Sequence, residues 1–180
     1  TERHHAVAGA CLDAGLHVLV EKPIAVDLAQ SDALIEMARR KKLVLQVGHV
    51  ERYNAAFRAL AARMQRPLLI DAERLSGFKR RGADVDVMLD LMIHDIDLCL
   101  ALARSEVTDL SACGFRGLTQ EIDIATARIE FADGCVANLS ASRVSQAPVR
   151  KLRVFQPGLY VSADLQAGSL RYVGQVQGAI

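Results

Sequence analysis

"HVLVEKPIAVD", His17–Asp27, is the stretch on which the fold turns. An apolar run of strand length, Leu16–Val20, stops on a carboxylate, an ammonium and a proline. A short continuous apolar run suits a strand covered on both faces, as in a parallel sheet. Pro23 removes a backbone donor, ends the strand and sets the direction in which Lys22 leaves. Ligands of open parallel sheets collect beyond the carboxyl ends of the strands, which is where Glu21 and Lys22 fall. The plain alternative is a solvated strand end followed by a proline turn.

The flanks support the parallel reading. Residues 2–14 place Val7, Ala10, Cys11 and Ala14 on one helical face, with Gly15 as a stop. Asp27 is a predicted N-cap for a helix whose Leu28, Ala33, Leu34, Met37 and Ala38 form an inward stripe. "LVLQVGH" at 43–49 is a second short buried strand. Helix, strand, helix, strand implies parallel strands joined by crossovers, an α/β layer. The texture then changes. A helix is predicted over 54–64, a half-exposed strand over 68–76, a polar loop over 77–86 and one long helix over 86–103. From 107 onward strands dominate, and "ADG" at 132–134 marks a hairpin with Gly134 at positive φ. That half reads as an α+β domain on an open, mainly antiparallel sheet.

Composition removes several classes. With 22 basic and 21 acidic residues the net charge is +1, and "ARRKK" at 38–42 closes a helix where cations suit the dipole. No basic stripe with aromatic platforms argues for nucleic acid. The four cysteines, Cys11, Cys99, Cys113 and Cys135, never form C-x-x-C, which predicts reduced thiols in a cytoplasmic protein. No apolar stretch is long enough for a bilayer and no signal peptide is visible.

The long helix carries the second chemical signal. Asp90 and His94 stand four positions apart and project from one face of an α-helix. An imidazole, which titrates near neutrality, can take a hydroxyl proton as a C–H bond becomes a carbonyl. The surrounding Leu89, Leu91, Met92, Ile93 and Ile96 also fit a core histidine. "HDID" at 94–97 hints at a metal, but consecutive helical residues point in different directions, so no metal is expected. Arg52, Tyr53 and Asn54 close the second strand; they suit binding of a diphosphate or sugar, or else a helix cap beside a surface arginine. Arg80 lies in "FKRRG" at 78–82, a cationic loop apt for a nucleotide diphosphate or simply solvated.

Three stretches in order, "AGLHVLVEKPIA" at 14–25, "VGHVERYNAAF" at 47–57 and "LDLMIHDIDL" at 89–98, resemble the glucose–fructose oxidoreductase, inositol dehydrogenase and MocA family over nearly the whole chain. The resemblance implies an NAD- or NADP-dependent oxidoreductase moving hydride between nicotinamide and a secondary hydroxyl of a sugar. "ERYN", "RLSGFKRRGADVDVMLDLMIHDID" and "FADGCVANLSASRVS" look most like a branch acting on nucleotide-linked amino sugars such as UDP-N-acetylglucosamine. It implies Lys22 between nicotinamide and sugar, His94 as general base and Asp90 beside the substrate or orienting that base. Either His94 or Lys22 can hold the proton at the end. Glu21, Lys22, Pro23 and His4 fall on the cofactor side, and Arg52, Tyr53, Asn54 and Arg80 on the substrate side. Residues 1–50 are expected to be the later part of a dinucleotide-binding Rossmann domain. Residues 51–180 are expected to be a substrate-binding and oligomerisation domain, with a homo-oligomer formed through its sheet.

The sequence departs from the family pattern in places. Relatives carry Asn-Pro where Asn54-Ala55 stands, and a glycine cluster where "DVDVML" precedes the helix. The G-x-G-x-x-G fingerprint and the acidic ribose-binding residue are absent. The expectation is therefore that a first βαβαβ half lies upstream of Thr1, that the second domain is truncated at its C-terminus, and that this stretch alone binds NAD poorly. The competing reading is a non-catalytic binding or oligomerisation module of the same fold.

Overall fold

The structure, a computed structural model, describes residues 2–78 and 85–174. The chain divides into two compact units, Thr1–Val50 and Glu51–Ile180.

In the first unit, helix α1 (His4–Asp13) precedes strand β1 (Val18–Val20), and helix α2 (Leu28–Lys41) precedes strand β2 (Leu45–Val47). β1 and β2 are parallel, with Val18 opposite Leu45 and Val20 opposite Val47. The predicted cap forms: the Asp27 side chain accepts from the Gln30 N–H at 2.8 Å. Ala8 and Leu12 of α1 pack with Leu34 and Ala38 of α2 over Val18 and Leu45. This corrects the expected helix faces, since Val7 and Leu28 stand exposed. The fully apolar strand also differs from expectation. Both helices cover the Val18 face, so Leu19, pointing oppositely by strand alternation, is 72% exposed.

The second unit is a seven-stranded sheet with helices on one face. Its strands are β3 (Leu69–Leu75), β4 (Val107–Phe115), β5 (Ile124–Phe131), β6 (Val136–Ser142), β7 (Val149–Gln156), β8 (Leu159–Asp164) and β9 (Ser169–Gly174). Their order is β4-β5-β6-β3-β7-β8-β9. β3 runs parallel to β6, and the other pairings are antiparallel. Sequence reading placed no strand over 169–174, where "SLRYVG" lacks the alternation of its neighbours; β8 recruits it as an edge through backbone pairing. Gly134 turns the β5–β6 hairpin at φ 87°.

Period-two alternation makes β3 the centre of this sheet. Ile70 and Ala72 face the core opposite Ala137 and Leu139 on one side and Val154 and Leu152 on the other. Helix α3 (Ala55–Ala61) packs on β8 and β9, and helix α4 (Ile93–Ala103) on β3 and β6. Phe57, Leu60, Leu98 and Leu102 close the core from above. The opposite sheet face carries a polar ladder in which Asn138 bonds Asp71 at 3.1 Å and Arg153 bonds Glu73 at 3.3 Å. Exposed Phe115, Phe155 and Val173 stand on that face among the polar groups.

The single predicted helix over 86–103 is two segments. A π-helical turn, Met88–Met92, leads into α4, and the Ile93 N–H reaches back five residues to the Met88 carbonyl. Such single turns are rare and recur at functional sites. All four cysteines are free thiols. No helix among the described residues is long and apolar enough to cross a membrane.

Candidate active site

The first group of candidates closes the β1–β2 pair at its carboxyl end. The Gly48 N–H donates to the Val20 carbonyl at 2.8 Å, so Glu21-Lys22-Pro23 and Gly48-His49 leave the two strands side by side. The Lys22–Pro23 peptide is cis and Pro23 is buried. His4 Nδ1 lies 2.7 Å from the Pro23 carbonyl oxygen, which ties the start of α1 to the turn that presents Lys22. A Cβ at Gly48 would sit 3.2 Å from Glu21 Oε2, so glycine is what lets that carboxylate lie across the strand end.

The second group lies in the second unit. Asp90 is inside the π-helical turn and His94 is in the first turn of α4. The wider turn changes the α-helical phase assumed for the pair, because its hydrogen bonds span five residues rather than four. The start of this segment is tied to the loop joining β4 to β5. Val87 N–H donates to the Ile122 carbonyl at 2.9 Å, and Ile122 N–H donates to Asp86 Oδ1 at 2.9 Å. Arg143 Nη2 donates to the carbonyls of Val85 and Ile122. Asp123, fully buried, accepts from the backbone of Gly117, Leu118 and Thr119 and from the Thr119 hydroxyl. Burial works against its charge, but these donors prevail and hold the carboxyl well below the usual carboxylate range.

Two guanidinium–carboxylate pairs grip α4 next to His94. Arg74 meets Asp95 through Nε–Oδ2 at 3.0 Å and Nη2–Oδ1 at 2.7 Å, with both residues buried. Glu51 Oε1 lies 3.4 Å from Arg74 and 3.7 Å from Arg150. Burial opposes the Arg74 charge, yet Asp95 and Glu51 raise its pKa. On the other side of the helix Arg52 forms a two-pronged pair with Asp97, Nε–Oδ2 and Nη2–Oδ1 both at 2.7 Å. A cleft of about 460 Å³ opens beside this cluster, lined by Arg74, Ser76, Leu91, Gln146, Arg150 and Gln166.

The substrate-side residues are placed as follows. The Arg52 fork is engaged by Asp97. Asn54 caps α3, its Oδ1 accepting from Ala56 and Phe57 N–H, and its Nδ2 donates to the Leu165 carbonyl at 2.9 Å. Tyr53 is exposed. Arg80 lies outside the described residues. Among the described residues no group of three or more His, Cys, Asp or Glu side chains is placed to hold a metal. Sequence alone does not single out Arg74 or Asp123, and it offers Asp95 only as part of "HDID", not as an ion-pair partner. One signal was there: alternation puts Arg74 on the same face as Ile70 and Ala72, and a guanidinium on a core face demands a buried carboxylate.

This rim presents the Lys22 ammonium on a proline-closed turn, with the Glu21 carboxylate lying against Gly48. A glycine-rich cradle for the pyrophosphate is not among these residues. A parallel α/β layer with such a rim, followed by an open mixed sheet with helices on one face, defines a Rossmann-type unit joined to a sheet domain. Residues 1–49 match the oxidoreductase family with NAD-binding Rossmann fold, and residues 47–156 match the GFO/IDH/MocA C-terminal domain. The chain belongs to the GFO/IDH/MocA family. It is 42% identical over 181 residues to a UDP-N-acetylglucosamine 3-dehydrogenase of Acidithiobacillus ferrooxidans, which covers 100% of this chain and 58% of that protein. A solved structure of the Acidithiobacillus ferrooxidans enzyme superposes with a TM-score of 0.91 at 43% identity, covering 97% of this chain and 58% of the other. A myo-inositol dehydrogenase of Streptomyces leeuwenhoekii is 30% identical over 161 residues, covering 79% of this chain and 49% of that protein. The chain thus spans about half the length of these relatives.

Proposed function

We propose that the intact gene product is an NAD-dependent oxidoreductase acting on a secondary hydroxyl of a nucleotide-linked amino sugar, with UDP-N-acetylglucosamine as the leading substrate. The observation that carries this reading is the 42% identity to UDP-N-acetylglucosamine 3-dehydrogenase, sustained over all of this chain. A bound nicotinamide supplies the hydride acceptor. Lys22 donates a hydrogen bond to the reacting oxygen and stabilises the alkoxide character that builds up there. His94 takes the hydroxyl proton as general base. Asp90, in the π-helical turn, engages the sugar or orients that base. Glu21, Pro23 and His4 shape the turn that aims Lys22. The second unit's helix-free sheet face, with Phe115, Phe155 and Val173 exposed on it, supports self-association through that sheet.

The test is steady-state oxidation of UDP-N-acetylglucosamine by the intact gene product with NAD and, separately, NADP, beside myo-inositol. Lys22→Ala and His94→Ala are each expected to lower kcat by at least about 100-fold, in line with the usual worth of a positioned acid or base, while leaving the melting curve nearly unchanged. Full activity in either variant removes that residue from the mechanism. Turnover of myo-inositol alone reassigns the substrate.

A further inference from the structure

We propose that Arg52 is a positioning residue for His94, acting through Asp97, and is not a ligand of the substrate. This rests on the assignment of His94 as general base.

The geometry is that of a helix held from both flanks. Seen down the axis, and at 3.6 residues per turn, Asp95 lies about 100° to one side of His94 and Asp97 about 60° to the other. Each carboxylate is gripped by two hydrogen bonds from one guanidinium, Asp95 by Arg74 of β3 and Asp97 by Arg52 of the 3₁₀ turn Val50–Tyr53. The two anchors belong to different elements, so a rotation that relaxes one pair stretches the other. Rotation about its own axis is the motion of α4 that would displace the imidazole sideways. Turning by about 10° at the roughly 6 Å radius of the side-chain shell carries the ring about 1 Å. A misplacement of that order can cost on the order of 100-fold in rate.

The two grips differ in burial. Both partners of the Arg74–Asp95 pair are buried, whereas the Arg52 side chain is 50% exposed against 9% for Asp97. Losing Arg52 therefore leaves the helix docked by Arg74 but free to turn slightly. Removing the Asp97 carboxylate removes the same restraint from the other end. A fork that binds a carboxylate through two parallel bonds cannot be replaced in full by the point charge of lysine.

The experiment is a double-mutant cycle in the intact gene product, using Arg52→Ala, Asp97→Asn and the double variant, with Arg52→Lys as the conservative control. With UDP-N-acetylglucosamine and NAD, Arg52→Ala should lower kcat by about 10-fold or more with the sugar KM within about twofold, the signature of a lost transition-state arrangement. The double variant should be no worse than the worse single, and Arg52→Lys should recover part of kcat. A raised KM with kcat kept, or effects of the two singles that multiply, overturns the proposal and makes Arg52 a substrate ligand. A second arm needs no substrate. In protein labelled at the histidine rings, Arg52→Ala and Asp97→Asn should shift the ring resonances of His94, assigned by His94→Gln, in the same direction, leaving those of His17 in place. Unmoved His94 resonances overturn the proposal. If no sugar is turned over, the functional reading fails, and the ring resonances alone decide whether Arg52 positions His94.

Discussion

Asp95→Asn tests the buried half of that grip. The substitution keeps the shape of the side chain and deletes its charge, leaving the Arg74 guanidinium, 3% exposed, with Glu51 Oε1 at 3.4 Å as the carboxylate still in reach. Breaking a buried pair by removing one partner costs roughly 3–5 kcal/mol, because the other charge stays buried. Glu51 compensates in part, which puts the expectation at the lower end, about 3 kcal/mol. In a two-state domain of about 150–250 residues, a loss of that size corresponds to a fall in Tm of roughly 6–12 °C. The assay is thermal and urea unfolding of wild type and variant, with an unchanged m-value as the check that stability and not the unfolded state has moved. The informative partner is the double change Arg74→Met with Asp95→Leu, which removes both charges and should lie within about 1 kcal/mol of wild type. A loss below about 0.5 kcal/mol in Asp95→Asn, the range of an ordinary surface change, would refute the view that this pair fixes α4 to the sheet.

Two further outcomes follow from the same structure. Asp123 has its folded pKa held below the ordinary carboxylate value, so its stabilisation is present above about pH 4 and fades as pH falls through the lower folded value. Asp123→Asn should cost at least about 2 kcal/mol at neutral pH, and the gap to wild type in Tm should begin to narrow below about pH 4 and go on narrowing as pH falls further; a gap independent of pH would contradict the assignment. Arg104 ends α4 with φ 53°, a left-handed conformation that costs a side-chain-bearing residue about 1 kcal/mol. Arg104→Gly should therefore raise stability by roughly 0.5–1 kcal/mol, read as a small upward shift in Tm.

Local chemistry was legible without coordinates wherever one stretch of chain carried the whole cause. Asp27 capping α2, Gly134 turning a hairpin and the end of β1 ahead of Pro23 each depend on a few consecutive residues. The placement of Glu21 and Lys22 at a strand end follows from the same local rules; the helical character around Asp90 and His94 was legible too, but not the π-helical turn that separates them. Amphipathic phase was less secure. Val7 and Leu28 stand exposed where a periodic stripe put them inward, because alanines and short apolar runs leave several helical faces nearly equivalent.

What the sequence by itself determined is thus most of the elements, the change from α/β layer to sheet domain, and the short motifs that carry the family. Tertiary structure alone decided the partners: β3 between β6 and β7, the 169–174 edge strand, Arg74 with Asp95, and Arg52 with Asp97. The physical reason is range. A cap or a turn is closed by neighbours in the chain, whereas a buried ion pair is chosen by whichever distant carboxylate the packing delivers, and Arg52 finds its own 45 residues away.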